Sequence, residues 1–432
     1  MSKRIILRGL VLPLAASAAA LLLPPAGEAQ RAKRAVAPAV NPKTAAVREA
    51  TAEVLRETSE LRKLAVLRPV RSGAQSREQI EQMLVRNLDR ETTPEELGLS
   101  ERELKKLGMV PAEFELRSFL IRLLTEQVAG YYDPKTREFH LADWIDLDGQ
   151  KPVMAHELTH ALQDQHFNLR RFQDWPDHES DSELAAHALI EGDAMLAMTH
   201  YVLKDPMRQL AMLKSLVTGG SGSTEVYSSA PRVLRETLVF PYTQGSAWAG
   251  QVFKRGGWEL LSASYKELPA STEQILHPEK YFAREAPVKV SVKDISAALG
   301  KGWKLGDHDV NGEWGFFLIL DEFLKSKPDS DKAVAGWGGD RHAVFTGPAA
   351  GDFLIAQKTA WDTEQDAREF FDAYALRTTR RYGTQPSETS DPARLTWKTK
   401  EGGVLIELSG KNVTILEGVP EGADARELAG ML

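Results

Sequence analysis

The chain has 432 residues, with 54 basic against 61 acidic side chains and a net charge of −7, so no strongly basic field argues for nucleic acid. Hydrophobic content of 42% and charged content of 27% are ordinary for a globular protein and exclude wholesale disorder. Cysteine is absent, which excludes a disulfide scaffold, a thiol nucleophile and a Cys-ligated metal. In chain order, Lys3, Arg4 and Arg8 precede an apolar run from Leu10 to Leu23, and Pro24 and Pro25 end it. Small residues Gly27 and Ala29 then flank Glu28, so residues 1–29 read as a secretory signal peptide with Gln30 the first mature residue. That pattern predicts an exported protein, periplasmic or extracellular, with no stable membrane span after signal removal.

Residues 30–43 read as a linker with Pro38 and Pro42. Residues 44–112 read as an N-terminal helical region, broken near Pro69 and Ser72-Gly73-Ala74, with a pro-segment or a clasping arm as alternatives to a solvated helical face. Residues 113–285 carry a helix over 114–127, a strand-turn-strand over 131–141, and helices over about 151–166 and 181–204. A mixed stretch with Gly and Pro breaks follows. From 286 the pattern turns strand-like at Val288–Val292, Phe353–Ala356 and Val404–Leu408, with helices over about 312–325 and 363–377. The expected fold class is α+β: a mainly helical catalytic domain with a small sheet over 113–285, and a C-terminal α+β domain over 286–432.

The strongest chemical pattern is His156-Glu157-Leu158-Thr159-His160. Helix positions four apart are offset by about 40° and about 6 Å, so both imidazoles face one tetrahedral ion. Glu157 adjoins the first ligand, where its carboxylate reaches a water held by zinc, takes its proton and passes it to a leaving amine. With ten histidines in the chain, at most roughly 0.03 accidental matches are expected.

A third ligand is needed, and two residues compete. His166 stands six residues after His160, but Gln163 occupies the position where a helix-breaking Gly would let the chain swing back. If the helix continues, His166 lies about 280° around and about 15 Å along from His156. Glu191 sits mid-way along an otherwise apolar helix, where a carboxylate is costly unless paired or bound to metal. His187, one turn before it, is a weaker candidate. Asp193 faces away from Glu191 on an ideal helix and reaches a ligand His only if Gly192 loosens the geometry. The reading is His156, His160 and Glu191 around Zn²⁺, with Glu157 as general base; two imidazoles and a carboxylate suit zinc.

On these residues the chain resembles the gluzincin type of zincin metallopeptidase, in which two helix histidines and a downstream Glu bind zinc. It is similar, more closely, to a group of exported bacterial proteins classed as zinc metallopeptidases, through residues 127–134, 155–165 and 188–194 and shorter stretches out to Trp361-Asp362-Thr363. The resemblance implies a zincin fold, zinc and proteolysis of a protein or peptide substrate. The gap from His160 to Glu191 is longer than in thermolysin-like enzymes. Peptide hydrolysis also needs an oxyanion donor, for which Tyr242, His277 and Tyr131 qualify by chemistry; the glycines from Trp337 to Arg341 read as a tight turn. Two alternatives stand beside proteolysis: a non-catalytic envelope-associated binding or scaffold protein on the same fold, and a zinc amidase acting on a non-protein amide.

Overall fold

The computed structural model describes residues 43–144, 147–210 and 225–432. Residues 1–29, read as a signal peptide, and nearly all of 30–43, read as a linker, lie outside the described residues. The chain is α+β, with a three-stranded and a six-stranded sheet among many helices.

Helix α1 (Lys43–Arg62) leads to strand β1 (Arg71–Gln75), helices α2 (Arg77–Glu91), α3 (Pro94–Leu107) and α4 (Leu116–Gln127), and the hairpin β2 (Gly130–Asp133) and β3 (Glu138–Ala142). Capping boxes, Ser76 with Gln79 and Thr93 with Glu96, start α2 and α3 by satisfying the first free N–H groups of each helix. The segment around Ser72-Gly73-Ala74, expected as a break, is strand β1, which pairs parallel with β3 while β2 pairs antiparallel. Region 44–112 is thereby joined by main-chain hydrogen bonds to the hairpin beyond it.

Helix α5 (Lys151–Phe167) carries the two histidines, and α6 (Ser180–Leu203) carries Glu191. Every residue from Val153 to Asp164 is buried. The apolar face of α1 (Val47, Val54, Leu55) packs with Phe139 and Leu141 of β3 against Met154, Leu158 and Leu162 of α5. Helix α7 (Arg232–Ala263) runs through Pro241 and kinks only at Gly256-Gly257, where Gly257 takes φ 62°. It crosses α6 at backbone contact: a Cβ on Gly192 would lie 2.1 Å from the Gly245 carbonyl oxygen, and one on Gly245 would lie 2.2 Å from that of Ala188. Short helices α8 (Thr272–Leu276) and α9 (Pro278–Ala283) follow.

Next come strand β4 (Lys304–Asp309), helices α10 (Gly312–Leu324) and α11 (Lys327–Val334), strands β5 (Trp337–Thr346) and β6 (Phe353–Trp361), helix α12 (Glu364–Tyr382), strands β7 (Arg394–Thr399), β8 (Gly402–Ser409) and β9 (Asn412–Val419), and helix α13 (Ala425–Met431). The sheet is antiparallel throughout, in the order β4-β5-β6-β9-β8-β7. Its alternating side chains split between two layers. Val344, Ile355, Ile406 and Ile415 join the core with Phe316 of α10 and Phe370 of α12. Ala343, Phe345, Leu354 and Leu416 meet Leu428 of α13.

One strand reading and one turn reading need correction. Val288–Val292 forms no strand; the Val288 N–H donates to the Gly338 carbonyl at 2.7 Å, and β4 takes the sheet edge instead. Trp337–Arg341 is not a tight turn but the bulged start of β5, where Val288 crowds the α-carbon of Gly339. The division at 285/286 separates the two sheets, yet one apolar cluster runs across it from Ile80 through Leu189 and Trp248 to Val344 and Ile415.

Candidate metal centre

The structure brings His156, His160 and Glu191 together. His156 Nε2 lies 3.1 Å from His160 Nε2 and 3.1 Å from Glu191 Oε2, and His160 Nε2 lies 3.4 Å from that same oxygen. The two histidines face one way because α5 is regular from Lys151 to Phe167 and spaces them by one turn. Glu191 reaches them because α6 packs alongside, pressed into place by α7 at Gly192 and Gly245.

Helix α5 does not break at Gln163. It ends beyond His166 with Asn168 in the left-handed region, and His166 points outward to bond the Ala65 carbonyl at 2.8 Å. Gln163 has a different task. Its amide nitrogen donates to the Ile190 carbonyl at 3.0 Å and to Asp193 Oδ2 at 2.9 Å, which fixes the amide so that Oε1 faces His160 Nδ1 at 2.8 Å. His160 Nδ1 is therefore the protonated nitrogen, and the Nε2 lone pair is left turned toward His156 and Glu191.

Asp193 anchors this arrangement from behind. The Arg62 guanidinium holds it through Nε and, at 3.0 Å, through Nη2, and Tyr265 donates to Oδ2 at 2.8 Å. Arg62 and Asp193 are wholly buried, and Arg62 also lies over the Trp258 ring at 4.7 Å. Asp193 thus supports a histidine through Gln163, with α6 regular around Gly192; that glycine serves close helix packing, not looseness. Asp193 was weighed from sequence only as a direct partner. Gln163, Arg62 and Tyr265 were missed in that role. An uncharged polar residue one turn after a ligand His was the available signal for Gln163, whereas nothing local marks Arg62.

Glu157 is fully buried beside the cluster. Its Oε2 accepts the Tyr132 N–H of β2 at 3.0 Å, and its Oε1 has no hydrogen-bond partner among the described residues. Burial and the neighbouring Glu191 charge push its pKa well above the ordinary range. At Glu191 burial acts in the same direction but is outweighed by the two histidines, which hold the carboxyl down to about 2. Burial lowers the pKa of His156; at His160 burial is outweighed by the Glu191 charge and by hydrogen bonds to Glu191 and Gln163, and the pKa is raised. Protonation is thus favoured at His160 and Glu157 and disfavoured at His156 and Glu191.

The remaining candidates separate. Tyr242, on α7, stacks against the His156 ring with centroids 6.0 Å apart. His277 is turned elsewhere: its Nε2 lies 2.9 Å from Glu313 Oε1, and that bond raises its pKa against the effect of burial. It is a structural partner of α10 and not part of the cluster. Tyr131 donates to Gln75 at 2.9 Å. His187 does not join the converging ligand atoms. The acidic group Glu273, Glu285 and Asp362 also converges, but Lys280 Nζ fills it at 2.6, 2.8 and 2.7 Å.

In comparisons with known proteins, the chain is similar over residues 303–429 to a family described as a domain of unknown function (DUF8575). That stretch holds the six-stranded sheet and lies outside the His156, His160 and Glu191 cluster. No curated protein and no solved structure matches the chain.

Proposed function

We propose that the protein is an exported zinc-dependent peptidase of the gluzincin type, with His156, His160 and Glu191 as metal ligands and Glu157 as general base. One observation carries the reading: three ligand atoms 3.1–3.4 Å apart, one of them a lone pair held in place by Gln163, next to a carboxylate with a free oxygen. Ligands at about 2.0–2.1 Å around a tetrahedral ion stand about 3.3 Å from one another, so the donor set fits zinc. When bound, zinc supplies a Lewis acid that polarises a carbonyl and acidifies water.

The chain's own residues do the rest. Glu157 Oε1 takes a proton from the attacking water and delivers it to the leaving nitrogen, while Oε2 stays tethered to the Tyr132 N–H. The Arg62, Asp193 and Gln163 chain holds the His160 ring in its tautomer throughout. Tyr242 flanks His156 and is the remaining candidate for a donor to the oxyanion. Export is supported by the apolar N-terminal run, and no described helix is long and apolar enough to cross a membrane.

Burial favours a second reading. His156, Glu157, His160 and Glu191 are at most 3% exposed, as suits a non-catalytic structural cation. The two readings part on zinc content and cleavage of a denatured protein, measured for wild type, Glu191→Ala, His166→Ala and Glu157→Gln. The peptidase reading expects one zinc held by this cluster, so that Glu191→Ala contains one equivalent fewer than wild type while His166→Ala and Glu157→Gln match wild type. Activity in Glu157→Gln should fall by about 10²–10⁴-fold. Zinc without cleavage in wild type selects the structural cation, and no zinc in wild type defeats both.

A further inference from the structure

A second group of ligand atoms converges where the loop before α6 meets the first strand of the large sheet. His178 comes from the loop, and Asp307 and His308 from β4. His178 Nδ1 lies 3.1 Å from Asp307 Oδ1, and the His178 and His308 rings stack with centroids 3.9 Å apart. One ligand atom from each of the three lies within 4.8 Å of the others.

The backbone on both sides is pinned. His178 adopts φ 63°, a conformation that residues other than glycine rarely take, and Arg341 bonds its carbonyl at 2.6 Å. Two residues on, Ser180 donates its N–H to Asp309 at 3.0 Å and its hydroxyl to the same carboxylate. The nearby charges are Asp307, Asp309 and Glu179 against Arg341, whose guanidinium is itself paired with Glu179 at 2.9 Å. The balance is negative, which suits a cation. His178 and Asp307 keep 35% and 21% of their side-chain surface, leaving room for water ligands and for the rings to turn.

We propose that His178, Asp307 and His308 form a second divalent transition-metal site, separate from the His156 cluster. Two imidazoles and one carboxylate select zinc, nickel or copper over magnesium or calcium, which prefer all-oxygen ligands. Closing on an ion turns the His308 ring out of its stack, drawing the three ligand atoms to about 3.3 Å of one another. The ion clips the segment that opens α6, the Glu191 helix, to the edge of the large sheet.

Zinc alone is the probe, titrated calorimetrically into the full chain near neutral pH. In His156→Ala the proposal expects one equivalent to remain. It expects that equivalent to vanish in His156→Ala/His308→Ala and to bind at least about tenfold more weakly in His156→Ala/Asp307→Asn. On the wild-type background, where folding does not depend on a buried substitution, His308→Ala alone should lower the stoichiometry by one. Equal zinc binding with and without His308, or no zinc in His156→Ala, overturns the site. If wild type and His156→Ala bind the same single equivalent and only His308→Ala abolishes it, the second site stands and the first reading fails.

Discussion

Among the described residues, one cluster of buried charge sits between α5 and α6 and another between α12 and β9. In the second, the Glu417 oxygens meet donors only: Tyr374 at 2.5 Å and Arg377 at 2.8 Å on Oε1, Arg377 at 2.9 Å and Tyr382 at 2.9 Å on Oε2. Both Glu417 oxygens are satisfied, and Glu417 needs nothing from outside, although Arg377 Nε finds no hydrogen-bond partner among the described residues. In the first, a carboxylate oxygen and two imidazole nitrogens converge, with at most a shared proton between them, and Glu157 keeps an unpartnered oxygen alongside. Burial is the same; what differs is whether the protein supplies the opposite charge. A buried ionic group that is complete belongs to the scaffold, and one that is incomplete in positive charge is a receptor for it.

The contrast can be broken at several points. The largest effect is expected from Arg377→Met, which strands Glu417 without its cation and should cost about 3–5 kcal/mol by urea denaturation, with the zinc stoichiometry of the folded fraction unchanged. Gly192→Ala comes next: its methyl meets the Gly245 carbonyl, and an overpacked contact of this kind costs about 1–3 kcal/mol. That loss should come with weaker zinc binding, since Glu191 moves with α6. Gln163→Ala should cost about 1–3 kcal/mol, because it strands buried partners at Ile190 and Asp193, and should weaken zinc binding by about 10–100-fold, because His160 loses the acceptor that sets its tautomer.

The smallest effect is a pH slope. Burial opposes ionisation of Glu417, but Arg377 and the two tyrosine hydroxyls outweigh it and hold the pKa below 4.5. A carboxyl whose folded pKa is lowered adds stability that is full above its unfolded pKa and is lost as pH falls through the folded value. Wild type minus Glu417→Gln stability should therefore be flat above about pH 5 and shrink below about pH 4. A difference independent of acid pH would mean that Glu417 does not titrate in this window.

The helices and the β2–β3 hairpin were legible because their patterns are local. The 3.6-residue apolar period, the His156/His160 spacing and a carboxylate at Glu191 inside an apolar helix all fall within one element. Each of those side chains is marked within its own helix, whereas their meeting depends on α6 packing beside α5. What escaped is non-local. Val288–Val292 alternates like a strand, but Lys304–Asp309, with little apolar alternation, holds the edge beside β5. The pairing of β1 with β3 joins residues far apart in sequence, so Ser72-Gly73-Ala74 looked like a break. His277, plausible as an oxyanion donor by chemistry, was claimed by Glu313, a residue 36 positions away.

Arg62 ends the first described helix, and its partners lie far downstream: Asp193 is 131 residues later, and Ser262 is 200 residues later. Chain order thus becomes an order in time. At ribosomal rates of about 5–20 residues per second, α1 waits roughly 7–26 seconds before Asp193 even exists. Until then His160 has its spacing from His156 but no orientation, because Gln163 lacks the carboxylate that steadies its amide. An early helix thus completes the site, and the receptor for positive charge takes its final form only after residues far downstream of that helix have been made.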